Sequence, residues 1–182
     1  MLSPELKKAI KNLKPDEKDK LLFRLIPKVP DLVSRLEFEL LEDGETTDSR
    51  REELANQIKA LMQEKPYSPG YLMMDMRSLS GDISRHVKTT KDKYGEVSLN
   101  LLMLLEALEN HTDFVLKNLR KAGTFQEYVV KRTETVLKNL QKLHPDLHVE
   151  FEDSLNRVLL LLHTKIAPSL AQECKLPKQF AG

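Results

Sequence analysis

The 182-residue chain has one cysteine, six glycines and no tryptophan. A lone thiol, Cys174, cannot close an internal disulfide, which excludes the cysteine frameworks of small secreted domains along with multi-thiolate metal sites. The glycines stand singly at turns, so there is no glycine-rich phosphate loop, and neither G-x-S-x-G nor H-E-x-x-H occurs. Long hydrophobic runs are missing too. The most apolar stretches, 101–105 and 158–162, are five residues each, whereas a membrane-spanning helix needs roughly 20. Excess charge of one sign is also absent: 29 Lys and Arg face 28 Asp and Glu, a formal net of +1. Charged residues between Met1 and Lys8 interrupt the apolar core a secretory signal would need, and with a single cysteine the expected compartment is the cytoplasm.

What is present is helix periodicity. Apolar residues recur at intervals of three and four between proline and glycine stops. Ser3-Pro4 is an N-cap with proline at the first helical position, and Leu6, Ala9, Ile10 and Leu13 share a face; Pro15 restarts the chain for a second, short helix. A third follows Pro30 and ends at Gly44, placed as a left-handed cap. Ser49 and Glu52 spell a capping box for a helix over about 50–65, and Ser68-Pro69 opens a fifth. Beyond Gly95 lies the most apolar segment, expected to be the central, most buried helix. There Leu99, Leu102 and Met103 widen the stripe past a single face. Gly123 is expected to close it and Thr124 with Glu127 to cap a seventh helix, while Pro145 opens an eighth that runs to Pro168.

Some eight helices with short turns make an all-α domain over 1–175, divisible into 1–65 and 68–175, with a flexible tail at 176–182. Either stacked antiparallel hairpins, as in a small α-solenoid, or an irregular bundle would satisfy the pattern, and the stacked array is the favoured expectation. The motif Val115-Leu-Lys-Asn-Leu119 recurs as Val136-Leu-Lys-Asn-Leu140, and Ile10-Lys-Asn-Leu13 echoes it. The 21-residue spacing of the first two suits convergence on a good helix C-terminus better than a solenoid period. Capped helical hairpins with proline or glycine at each turn resemble the armadillo and HEAT class of helical-repeat proteins over most of the chain. That resemblance implies a concave surface that binds another macromolecule.

Chemistry-bearing residues are few. His144, His148 and Glu152 have i, i+4, i+8 spacing and on one helix could hold a metal for a metal-dependent hydrolase. Pro145, however, puts His144 at the cap and aims it elsewhere, so a solvated helix entry is expected. His86 follows Asp82 by a turn, which would raise its proton affinity, and His111 and His163 fit as core or boundary histidines. Neither metal, cofactor nor catalytic residue is assigned.

Charge is unevenly spread despite the small total. Residues 1–30 carry eight cations and four anions, +4, and residues 31–64 carry four cations and ten anions, −6. The expected function is a non-catalytic protein–protein interaction or scaffold module. Its contact surface would combine Glu37, Glu39, Glu42 and Asp43 with Tyr67, Tyr71, Met73 and Met74, because acids at a helix C-terminus oppose the dipole and methionine suits adaptable grooves. The alternative is nucleic-acid binding through basic clusters at 7–20 and 85–93, including Lys7, Lys8, Lys11, Arg85, Lys88 and Lys91.

Overall fold

The computed structural model describes residues 2–181, which contain nine α-helices and no strand. The chain is all-α and divides into two units, Met1–Thr46 and Thr47–Gly182. The boundary therefore falls about twenty residues before the division expected at 65–68.

Unit 1 holds α1 (Pro4–Asn12), α2 (Pro15–Leu25) and α3 (Pro30–Leu40), each with proline in its first turn. The Ser3 hydroxyl accepts from the Leu6 amide at 3.2 Å, the expected N-cap. α3 ends where Asp43 and Gly44 turn left-handed, at φ 49° and 75°. This lets the Gly44 amide reach the Phe38 carbonyl at 3.1 Å, a closure that favours glycine at position 44. Phe38 is the one buried side chain among the described residues of this unit.

Unit 2 holds α4 (Thr47–Gln63), α5 (Pro69–Thr90), α6 (Lys93–Lys117), α7 (Gly123–Leu140), α8 (Val149–Leu161) and α9 (Pro168–Glu173). As its apolar content demands, α6 is central: α4, α5, α7 and α8 all pack against it. The helices of this unit that touch are one or two apart along the chain, as α4 with α6, α5 with α7 and α6 with α8, a pattern that stacked hairpins give as readily as an irregular bundle. Leu104, Leu108, Phe125, Leu140, Leu155 and Ile58 form its fully buried interior. Both Val-Leu-Lys-Asn-Leu motifs fall at helix C-termini, those of α6 and α7, as the convergence argument requires.

Several local expectations are corrected. Ser49 does not cap α4, because the helix begins at Thr47, with Asp48 in its first turn bonded to Arg51 (2.9 Å). Gly123 is not left-handed; a 3-10 turn over Leu119–Lys121 ends the α6 region instead. Ala122 then carries helical angles into α7, so the extended N-cap conformation that a Thr124 box needs is not available. Gly95 is not a separator but lies in the first turn of α6. The described residues after Cys174 are tied to the rest of unit 2. Leu176 is buried, the Asn156 amide clamps the Phe180 backbone at 2.7 and 2.9 Å, and the His163 ring lies 3.1 Å from the Pro177 carbonyl.

His111 ties α6 to the end of α4 through the Met62 carbonyl at 2.9 Å. Burial pushes its proton affinity below the ordinary histidine value, and the Met62 bond only partly opposes this. The folded state thus prefers neutral imidazole, so stability is fully present above the unfolded value near 6.5 and is lost as pH falls below it. Urea midpoints should drop between pH 7.5 and 5.5, and His111→Gln, which can still donate to Met62, should flatten that drop; an unchanged pH slope would contradict this account.

Candidate binding cleft

A concavity of unit 2 lies where α4, α6 and α8 meet, with a volume of about 420 Å³. Its floor is apolar: Leu99, Leu102 and Leu105 from α6, Ala55 from α4 and Phe151 from α8. Leu102 and Leu105 are half-buried and Leu99 and Phe151 buried, so the floor is the outer layer of the core left uncovered. Of the side chains that widen the α6 stripe in the sequence, Leu99 and Leu102 line the cleft, while Met103 is fully buried. Its rim is polar, with Asp48, Arg51 and Glu52 from α4 and Glu150 and Ser154 from α8.

Behind one end of the cleft a buried charge network joins α4, α5 and the start of α6. Asp92 is the N-cap of α6, and its Oδ1 accepts from the Gly95 amide at 2.7 Å. A Cβ at position 95 would collide with that carboxylate, which is why glycine occupies the first turn. Asp92 Oδ2 accepts from Arg51 Nε at 2.7 Å and lies 3.2 Å from His86 Nε2, with the Asp92 and His86 side chains only 6% and 5% exposed. Burial alone would push the Asp92 carboxyl up, but the Gly95 amide, Arg51 and His86 outweigh it and hold it below the usual carboxylate value. The Arg51 guanidinium lies 5.1 Å from the centre of the Tyr94 ring, and Tyr94 meets Phe151 at 5.2 Å. The Tyr94 hydroxyl donates to Glu150 at 2.8 Å; burial first, and then this carboxylate, raise its proton affinity. Arg51, Tyr94 and Phe151 form a ladder across α4, α6 and α8 along the wall of the cleft.

Arg51 is thus matched by Asp92 behind the cleft and by Asp48 at the rim, and the carboxylates Glu52 and Glu150 leave the opening acidic. The arrangement suits a ligand that is apolar where it enters and cationic at its edges.

The residues expected from sequence fall elsewhere. Tyr67 and Tyr71 are brought together, edge to face at 5.6 Å, and both are exposed, as is Met74. Met73 is turned into the core with Met62, Met76 and Met103, because it lies on the inward stripe of α5, and so it cannot serve as a contact residue. Glu37, Glu39, Glu42 and Asp43 belong to the C-terminal part of α3 and its turn in unit 1, with Glu39 bonded to Arg35 at 2.7 Å. His86 pairs with Asp92 rather than Asp82, which bonds Arg85 instead. His144 caps a 3-10 turn at Pro145–Leu147 and faces Asp146 at 3.3 Å, while the His148 ring lies against Phe180. No cluster of three or more metal-ligating side chains forms among the described residues, so His144, His148 and Glu152 do not converge. In the 85–93 cluster, Arg85 is neutralised by Asp82, and Lys91 takes the left-handed cap of α5 and bonds the Lys88 carbonyl at 2.8 Å. No helix among the described residues is long and apolar enough to cross a membrane.

Sequence reasoning missed Arg51, Tyr94 and Glu150. Their signal is tertiary, since they are separated by more than forty residues and meet only because α4 and α8 flank α6. No protein-family model matches the chain, and no curated protein or solved structure is significantly similar to it.

Proposed function

We propose that the chain is a non-catalytic cytoplasmic binding module. Its α4–α6–α8 cleft receives a segment of a partner protein that carries Leu, Met or Phe side chains flanked by Lys or Arg. The observation that carries this reading is the apolar floor beneath a rim on which Asp48, Glu52 and Glu150 outnumber Arg51, itself already paired with Asp92. Recognition follows from burying the partner's apolar anchors on Leu102 and Leu105, with the rim carboxylates setting orientation and excluding acidic partners. The acidic rim disfavours phosphate backbones, which speaks against nucleic acid as the ligand of this cleft. The one histidine of the adjoining network, His86, is too enclosed to reach a substrate.

Selection of displayed helical peptides against the immobilised full chain tests this. Recovered sequences should alternate aliphatic or aromatic anchors with Lys or Arg. Leu102→Glu and Glu150→Lys should each weaken their binding at least tenfold while leaving the circular dichroism unchanged. Recovery of acidic or unbiased sequences, or binding indifferent to both substitutions, would overturn it.

A further inference from the structure

Unit 1 presents a problem of burial. Among the described residues only Phe38 of this unit is buried, yet nine of the fifteen exposed large apolar side chains of the molecule belong to it. Phe23 is 74% exposed, Leu40 69% and Leu41 79%, and Leu6, Leu22 and Leu25 are close to half exposed. A unit this small cannot hold its fold on one buried side chain. Chains of roughly 40 residues lacking disulfides or metals usually complete their core by association.

Charge identifies what completes it. Residues 1–30 carry eight cations and four anions, +4, whereas residues 31–46 carry one cation, Arg35, and six anions, −5. The cations lie on α1 and α2 with exposed Leu6, Leu22 and Phe23, and the anions lie on α3 and its turn with exposed Leu40 and Leu41. Each half therefore has exposed apolar side chains and a net charge opposite to that of the other half. Two-fold pairing places each half of one copy against the other half of its partner, satisfying both at once. An anionic lipid surface would match α1 and α2 but would repel α3, whose segment is net negative.

We infer that unit 1 is a dimerisation element: α1 and α2 of one copy dock on α3 of a second copy of this chain, and reciprocally. This is independent of the ligand of the cleft.

Sedimentation equilibrium of the full chain should show a dimer whose dissociation constant rises at least tenfold between 50 and 500 mM salt. Lys7→Glu with Lys8→Glu and Lys11→Glu should weaken self-association tenfold or more, as should Glu37→Lys with Glu45→Lys, with helicity retained. An equimolar mixture of the two charge variants should restore a dimer, now mixed, because the reversed charges again oppose one another. Phe23→Ser should weaken the dimer without changing its salt dependence. A chain that stays monomeric at hundreds of micromolar would overturn the inference, as would a dimer unaffected by both charge reversals or variants that fail to pair when mixed. Monomer that co-sediments with phosphatidylserine vesicles would overturn it in favour of a lipid surface.

Discussion

Asp92→Ala is expected to destabilise unit 2 by about 3–5 kcal/mol in urea unfolding, the range found when one partner of a buried charge pair is removed. The substitution takes the N-cap from α6, leaves the Gly95 amide without an acceptor, and strands Arg51 and His86 in largely buried positions. Asp92→Asn should cost less, because an amide oxygen still caps Gly95 while the charge for Arg51 is lost. The comparison also has a pH signature. The Asp92 carboxyl is held below the ordinary carboxylate value, so its contribution is present above pH about 4 and disappears as pH falls through its lowered value. Acidification from pH 5 to 3 should therefore destabilise Asp92→Asn less than the unsubstituted chain. Equal losses in the two proteins would show that the pair contributes nothing to acid sensitivity. Because Arg51 stacks on Tyr94 at the wall of the cleft, Asp92→Asn should also weaken ligand binding without touching the ligand.

Leu104→Ala is expected to cost about 2–5 kcal/mol, since this side chain on α6 is fully buried and its removal leaves a cavity that the surrounding helices cannot close. For a chain of this length that corresponds to a fall in Tm of about 5–15 °C by differential scanning calorimetry. Val149→Ala, on the exposed side of α8, provides the control and should change stability by less than about 0.5 kcal/mol. A small effect at Leu104 would mean that α6 is not the centre of the bundle. A large one at Val149 would mean that this face of α8 is covered in solution.

The cleft and the core have a common origin in α6. Leu104 and Leu108 face inward while Leu102 and Leu105 lie on the side between α4 and α8, so the helix is apolar around more of its circumference than its neighbours cover. The uncovered remainder is the floor of the cleft. The core and the cleft therefore share the packing of α4 and α8 on α6.

Much of this was legible in the amino-acid order. Helix starts at Ser3-Pro4 and Ser68-Pro69, the left-handed stop at Gly44 and the central place of α6 follow from short-range rules, because a cap, a proline ring and a three-to-four stripe act within one or two turns. The capping boxes at Ser49 and Thr124 failed for the same physical reason in two forms: a box forms only where the residue before the helix is extended, and in both places the chain is already helical. Charge asymmetry at the start of the chain was also plain in the sequence, but the degree of exposure of Leu40, Leu41 and Phe23 was not.

Composition, periodicity and punctuation alone determined that this protein is built of helices and which of them is the most apolar. Only the tertiary structure decided that Asp92 answers Arg51 and His86 rather than leaving Asp82 to His86, that Met73 turns inward, and that Leu102, Glu150 and Asp48 share one opening. The reason is range: hydrogen bonds along a helix are fixed by neighbours four residues away, whereas a cleft is made by side chains whose helices meet only after the whole bundle has packed.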